Sequence, residues 1–219
     1  MIAEWLWIMS SSEDVGTLAK YNSKMAEYSD DGFILNGAYG PRLMPQMPYI
    51  LEALSKKDTR QAVATIWTPN PSPSKDVPCT ISLQWMIRED KLHTTVNMRS
   101  SDAWLGLPYD FFNFSQISNV IAGQLNIDVG SVTMNLASSH LYRSQFKKAE
   151  EVIKNYRGVG YLESPPIPDV NQLPYELFLN SSLLNHGIQG AHEPWISYSL
   201  ALQHSKEKAL EVLHAIAPK

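Results

Sequence analysis

The chain is poor in the residues that many kinds of site require. Cys79 is its only cysteine, which excludes an internal disulfide and any metal site built from clustered thiols. A lone free thiol suits a reducing compartment, so a cytoplasmic location is expected. The histidines, at 93, 140, 186, 192, 204 and 214, lack metal-ligand spacing such as HExxH, and no metal is expected. Basic runs never exceed two adjacent residues and the formal charge is −4. Nucleic-acid binding draws on many phosphate-neutralising cations, so DNA and RNA are not expected partners, although a few arginines can hold a small anion. Long apolar runs are also missing. The N-terminal MIAEWLWIMSSS has no basic lead, carries Glu4 inside its apolar stretch, and falls far short of the roughly 18 apolar residues of a membrane span. Neither a signal peptide nor a membrane partner is expected. Gly158-Val159-Gly160 lacks the remaining glycine and the strand context of a dinucleotide-binding loop.

What is present is enough for a full core. With 219 residues, 44% hydrophobic and 18% charged, one globular domain over 1–219 is expected. Residues 2–9 read as a helix with Ile2, Trp5, Leu6 and Met9 on one face. A second helix starts near Ser12, with Val15 and Leu18 in phase. Residues 29–42 hold three glycines and a proline and read as loop with short extended pieces. Pro45–Lys57 reads as a helix through Ile50, Leu51 and Leu54. Ala62–Trp67 reads as a buried strand, followed by a surface loop with four prolines between 69 and 78.

The centre of the chain is the stretch Pro78–Asp110. Ile81, Leu83, Trp85 and Ile87 alternate with polar residues, and so do Leu92, Thr94, Val96 and Met98. With the polar turn 88–91 between them, this is an antiparallel hairpin with one buried face. Such a hairpin returns the chain to Cys79 at Arg99-Ser100-Ser101-Asp102. An amphipathic helix follows through Phe114, Ile117, Val120, Ile121 and Leu125. A strand spans Ser131–Ala137, and a helix carries Phe146, Ala149, Val152, Ile153 and Tyr156. Past a proline-rich segment at 163–169, a last helix carries Ala209, Leu210, Leu213 and Ile216. Strands and helices mixed without strict βαβ alternation indicate an α+β fold.

On residue type alone, Cys79 is either a small buried hydrophobe or a nucleophile activated by a nearby cation, for which Arg99 is the candidate. Arg99 with Ser100 and Ser101 makes a plausible cradle for a phosphate or carboxylate, since a guanidinium can bind both oxygens. His140 and Tyr142, two apart at a strand end, face the same side and either cap the sheet or bind a ligand hydroxyl.

Taken in order, these motifs resemble the thymidylate synthase superfamily. Glu4-Trp5-Leu6-Trp7-Ile8-Met9 is similar to its glutamate-bearing helix, and Leu35–Gly40 to its tyrosine loop. Asp58-Thr59-Arg60-Gln61 is similar to its Asp-Ser-Arg-Arg, and Pro78-Cys79 to its nucleophile motif. Arg99–Asp102 looks like the phosphate and folate motif, Leu105–Asp110 the LGLPFN motif, and Ser139–Tyr142 the sugar motif. The resemblance covers roughly residues 3–145 and leaves 157–219 as a divergent C-terminal segment. It implies a bent mixed β-sheet flanked by helices, with a sheet face forming a homodimer interface.

The activity it implies is folate-dependent one-carbon transfer to a pyrimidine nucleoside monophosphate. Cys79 would add to C6 of the base, and 5,10-methylenetetrahydrofolate would supply the carbon. Glu4 would organise protons and water, and Tyr39 would help remove the C5 proton. Arg99 and Ser100 would bind the phosphate, with Arg60 reaching the partner's site across the dimer. His140 and Tyr142 would hold the sugar hydroxyl, and Asp102 would contact the folate pterin. Where the family has an asparagine that reads uracil, this chain has Asp110. A carboxyl group complements cytosine better, and the same aspartate marks the similar deoxycytidylate hydroxymethylases. The alternative for Asp110 is to N-cap the helix that follows it.

Lys24–Tyr28 holds no tryptophan where the family has Trp-x-x-Trp, which implies a pocket open to water and a hydroxymethyl product. The family's N-terminal arginine loop has no counterpart, and Gln61 replaces a second phosphate arginine. Arg42 or Arg143 would compensate. The expected activity is therefore dCMP 5-hydroxymethylation. The alternatives are a CMP hydroxymethylase, a dCMP methyltransferase, or an inactive nucleotide-binding homologue.

Overall fold

The computed structural model describes residues 1–158, Lys57 apart. The helix expected near the C-terminus and nearly all of the divergent segment lie outside these residues. Among the described residues, seven α-helices and six strands run in the order α1 (Ile2–Met9), α2 (Val15–Ala19), α3 (Met25–Tyr28), α4 (Gly40–Leu43), α5 (Met47–Ser55), β1 (Val63–Thr65), β2 (Thr80–Arg88), β3 (Lys91–Met98), β4 (Ser101–Asp102), α6 (Gly106–Leu125), β5 (Asp128–Leu136), β6 (Ser139–His140) and α7 (Phe146–Asn155). The main sheet has the order β1-β2-β3-β5, and a small parallel pair joins β4 to β6. The fold is α+β, a mixed sheet with helices packed against it.

The hairpin forms as its alternation predicts. Glu89 and Asp90 both take left-handed φ, 52° and 57°, the turn geometry that matches strand twist. On β3, Leu92, Thr94, Val96 and Met98 are all buried. On β2 the alternation breaks at a bulge between Thr80 and Ser82. One extra residue reverses the facing of everything before it. Thr80 therefore points inward at 0% exposure, while Ile81, expected in the core, is 39% exposed. The bulge also shortens β1 relative to the expected 62–67 strand. The amides of Ile66 and Trp67 both donate to the Ile81 carbonyl, at 2.9 and 3.1 Å.

α6 crosses from β3 to β5, which pair in parallel; a parallel pair needs such a crossover. Phe114, Ile117, Val120 and Ile121 form its buried stripe beside Trp85 and Leu83. Its two buried polar residues have partners. Ser118 Oγ lies 2.7 Å from Thr94 Oγ1 and donates to the Phe114 carbonyl at 2.7 Å, and Asn113 belongs to the candidate site. The helix starts where Asp102 accepts the amides of Trp104 and Leu105, at 3.1 and 3.2 Å. Asp110 lies inside α6 and does not N-cap it, so that alternative is excluded.

Other elements depart from expectation at their edges. α2 is capped by Asp14, whose side chain accepts the Thr17 amide. The loop at 29–42 contains the short α4, and a 3-10 turn at Met44–Gln46 precedes α5. α7 forms as expected, and among the described residues nothing covers its apolar side: Val152 is 56% and Ile153 74% exposed. On the outer face of the main sheet, Asn97 donates to Ser82 Oγ and Asn135 to Asn97 Oδ1, at 3.1 and 3.0 Å.

Candidate active site

Four segments far apart in sequence meet beside the start of β2. Glu4 comes from α1, Tyr39 from the turn into α4, Cys79 from the residue before β2, and Asp110 from the second turn of α6. Their proximity shows in their mutual electrostatics. Asp110 feels the charge of Glu4, and Tyr39 feels those of Asp110 and Cys79. A cleft of about 140 Å³ lies among them, lined by Glu4, Trp7, Met25, Leu35, Tyr39 and Cys79, among others.

Close packing of backbone holds Tyr39 in place. A Cβ on Gly40 would sit 2.5 Å from the Ile8 carbonyl oxygen, so only glycine lets α4 rest on the end of α1. The Gly37 amide donates to Asp76 Oδ2 at 2.6 Å, tying the tyrosine loop to the segment that carries Cys79. The Tyr39 ring stacks at 11° on Phe114 of α6, with centroids 6.1 Å apart. Burial, then the negative charge of Asp110, pushes its hydroxyl well above the usual phenol range.

Cys79 is held from the other strand of the hairpin. The Arg99 amide donates to the Cys79 carbonyl at 2.9 Å. The Arg99 side chain donates through Nε to the Pro78 carbonyl and through Nη2 to that of Val77, at 2.9 and 3.0 Å. Its guanidinium lies 5.8 Å from the centroid of the Trp67 ring. Among the described residues Nη1 has no hydrogen-bond partner, which leaves it for an anion. Burial pushes the Cys79 thiol up, the Arg99 charge pulls it down, and the carboxylates of Asp110 and Asp76 push it up again.

Both carboxyls of the site are perturbed. Burial, reinforced by the charge of Glu4, raises Asp110 to about 7. Glu4 is also raised, by burial, against which a hydrogen bond from the Asn113 side chain and the Met1 amino group act. Asn113 is 1% exposed, and its Oδ1 has no partner among the described residues. An unpaired buried carbonyl costs roughly 1–3 kcal/mol.

The other expected residues divide into two groups. Ser100 and His140 meet, with Ser100 Oγ 3.4 Å from His140 Nδ1. The exposed Tyr142 ring stands edge-on to His140, centroids 5.0 Å apart. Asp102 lies next to this group, across the β4–β6 pair from His140. Arg60 does not join the site. It is exposed on the loop before β1, where its carbonyl accepts the Gln84 side-chain amide at 3.2 Å. Arg42 ties backbone together, donating to the carbonyls of Ile66 and Asn36, and Arg143 is exposed in the 3-10 turn before α7. Sequence reasoning missed Asn113 and Asp76. Asn113 left a signal: a polar residue on the buried stripe of α6, three residues after Asp110.

The family profile described as thymidylate synthase matches residues 1–158. The chain belongs to the thymidylate synthase family. A deoxyuridylate hydroxymethyltransferase of Bacillus phage SP01 is 33% identical over 78% of this chain and 51% of its own length. One of Pseudomonas phage M6 is 30% identical over 67% of this chain and 45% of its own. A protein described as a thymidylate synthase, from Methanothermobacter marburgensis, is 31% identical over 63% of this chain and 64% of its own. The chain thus spans about half to two thirds of the length of these relatives. The thermostable thymidylate synthase A of Bacillus subtilis shares the fold, with a TM-score of 0.66 at 22% identity over 80% of this chain and 69% of that one. Among the described residues, no group of three or more His, Cys, Asp or Glu side chains could hold a metal ion. No described helix is long and apolar enough to cross a membrane.

Proposed function

We propose that this thymidylate synthase family member 5-hydroxymethylates a cytosine nucleotide. The reaction is dCMP + 5,10-methylenetetrahydrofolate + water → 5-hydroxymethyl-dCMP + tetrahydrofolate. The observation that carries the reading is the convergence of Cys79, Glu4 and Tyr39 on one cleft, with Asp110 near enough for its charge to act on Tyr39 and Cys79. Family membership supports one-carbon transfer to a pyrimidine nucleotide, and the relatives named hydroxymethyltransferases support the hydroxymethyl outcome.

The Cys79 thiolate forms a bond from Sγ to C6 of the base, which makes C5 nucleophilic. Arg99 favours that thiolate, and its free Nη1 faces the nucleotide phosphate together with Ser100. The apolar wall of Trp7, Leu18, Met25 and Leu35 suits a flat heteroaromatic ring such as the pterin. Asp102 keeps a lone pair on each carboxylate oxygen for it. The folate supplies the one-carbon unit at the formaldehyde level of oxidation. Tyr39, held protonated, relays the C5 proton. Tetrahydrofolate leaves from the carbon now bonded to C5, Glu4 orients the water whose oxygen adds to that exocyclic methylene, and the Sγ–C6 bond breaks to return Cys79 as the thiolate. Asp110 faces the N3–N4 edge of cytosine, and His140 with Tyr142 holds the sugar hydroxyl.

The second reading is a uracil nucleotide as substrate, favoured by the phage relatives named deoxyuridylate hydroxymethyltransferases. The assembly proposed is a homodimer through the outer face of the main sheet, with Arg60 reaching the partner's site. Tritium release from 5-tritiated dCMP, CMP and dUMP, each with methylenetetrahydrofolate, tests the reading. Release from dCMP supports it, and release from dUMP alone selects the second reading. Release from none leaves only a nucleotide-binding protein. Dihydrofolate appearing as substrate is consumed would reveal a methyltransferase.

A further inference from the structure

We infer that Asp76 is a positioning residue for the Cys79 nucleophile: its carboxylate, seated on the Gly37 amide and fastened by Ser74 and Asp30, fixes the segment that carries Cys79 against the loop that carries Tyr39. This deepens the proposed function and rests on it for the roles of Cys79 and Tyr39.

Four prolines stand between 69 and 78, and a proline has no amide to give to a neighbouring strand. Among the described residues, none of 68–78 makes a backbone-to-backbone hydrogen bond. Side chains hold this segment in place of a ladder. From β3, Arg99 donates to the carbonyls of Pro78 and Val77. Towards the tyrosine loop, the hold passes through Asp76. Its Oδ2 accepts the Gly37 amide at 2.6 Å, a short bond of the kind an ionised acceptor makes. Gly37 lies two residues before Tyr39, and Asp76 three before Cys79, so this one bond links the phenol to the thiol through a few residues of chain. The backbones approach just as closely. A Cβ on Gly37 would stand 2.8 Å from Asp76 Oδ1 and 2.9 Å from the Asp76 carbonyl oxygen.

A further set of bonds orients Asp76. Ser74 Oγ accepts the Asp76 amide at 3.0 Å and donates to Asp30 Oδ2 at 2.5 Å. Asp30 grips both sides at once. Its Oδ1 accepts the Lys75 amide at 3.1 Å, on the proline-rich side, and its Oδ2 accepts Asn36 Nδ2 at 2.8 Å, on the tyrosine-loop side. Asn36 precedes Gly37, and Arg42 ties its carbonyl to that of Ile66. With Val77 and Pro78, the half-buried Asp76 lines both the cleft of Cys79 and Tyr39 and a second cavity of about 270 Å³ beside Arg42 and Trp67. The segment is thus the partition between them, and its retreat would carry Cys79 away from Tyr39. What Asp76 supplies is position and not charge. Burial pushes the thiol up, and the charges of Asp110 and Asp76 add to it, whereas an amide oxygen would seat on Gly37 without opposing the thiolate.

Three variants separate position from charge. Asp76→Asn keeps an acceptor without the charge, Asp76→Ala keeps neither, and Asp30→Ala, at an exposed residue, loosens the seat without touching the core. Two readouts need no nucleotide. By NMR hydrogen exchange, the Gly37 amide should exchange at least about tenfold faster in Asp76→Ala than in the intact chain, and stay slow in Asp76→Asn. Cys79 is the only cysteine, so iodoacetamide alkylation from pH 6 to 10 reads this thiol alone, and its midpoint should fall in Asp76→Asn and Asp76→Ala alike. The third readout is tritium release from 5-tritiated dCMP with methylenetetrahydrofolate. In Asp76→Ala, kcat should drop about a hundredfold with KM within about threefold. Asp76→Asn should recover all but about threefold of that loss, and Asp30→Ala should fall between. Equal Gly37 exchange in Asp76→Ala and the intact chain overturns the inference. So does a loss confined to KM, and so does Asp76→Asn as impaired as Asp76→Ala, which would give the role to the charge. Should Asp76→Ala not fold, Asp30→Ala against the intact chain decides by the same exchange and kcat. An intact chain that releases no tritium from dCMP, CMP or dUMP counts against the proposed function, and Gly37 exchange alone then decides the role of Asp76.

Discussion

Replacing Asp110 by asparagine should change the pH dependence of stability in a way no surface carboxylate would. The folded chain holds this carboxyl at about 7, against 3.8 for the free group. A carboxyl raised on folding favours the folded state while it is protonated in both states, below the unfolded value. That advantage is lost as pH rises towards the folded value, because the unfolded chain ionises freely and the folded one does not. The penalty accumulates between pH 4 and pH 7 and is constant above. Roughly three pH units at about 1.4 kcal/mol each give no more than about 4 kcal/mol. Asp110→Asn keeps the shape of the neutral acid and cannot ionise. It should therefore match the intact chain at pH 4 and exceed it at pH 8. At about 2–4 °C per kcal/mol, the difference in Tm should open to as much as ~10 °C. Circular dichroism melts of both proteins at half-unit steps from pH 4 to 9 would show the curves diverging. Parallel curves would mean that Asp110 is solvated and ionised like any exposed aspartate, and the carboxyl-pair reasoning would fall with it.

Other consequences can be measured independently. Cys79→Ser should abolish tritium release, by more than about a thousandfold, and leave Tm within about 1 °C, because the thiol is only partly buried and makes no disulfide. Arg99→Met removes the cation that lowers the Cys79 thiol. Alkylation by iodoacetamide at pH 8 should slow several-fold, and a rate equal to that of the intact chain would show that Arg99 does not act on the thiol. Gly40→Ala forces a methyl group to 2.5 Å from the Ile8 carbonyl. It should cost on the order of 2 kcal/mol in urea unfolding and lower activity by displacing Tyr39. Thr94→Val deprives Ser118 of its 2.7 Å partner inside the core, at a cost of about 1 kcal/mol by the same measurement.

Much of this site was legible because its residues lie in regular local patterns. The period-two runs on either side of residues 88–91 gave the hairpin. The hairpin alone sets Arg99 beside Cys79, since its two ends must meet. The stripe Phe114, Ile117, Val120 and Ile121 gave α6. What could not be read has a physical cause in each case. The bulge at Thr80–Ser82 adds one residue to one strand, a count fixed by pairing and invisible in periodicity, so Ile81 was placed on the wrong face. Asn113 fell on the apolar stripe of α6, and its partner could be named only once α1 was seen to pack there. Arg42 looked like a cation free for phosphate, but two carbonyls of the surrounding loops occupy it. The apolar side of α7, left without cover among the described residues, shows the limit of the pattern itself: phase predicts which residues share a face, and says nothing about what that face meets.

The parallel pairing of β3 with β5 through α6 sets an order in which the site can be built. Cys79 and Arg99 are brought together by a hairpin, a local event that closes early and fast. Asp110 and Asn113 ride on the crossover helix and reach Glu4 only when α6 docks between α1 and the sheet, a step that must close a much longer loop. On a growing chain, the thiol and its arginine can exist before residues 128–136 have been synthesised, whereas Asp110 is seated last. Variants that slow the docking of α6 should accumulate a species with Cys79 beside Arg99 and Asp110 still unseated.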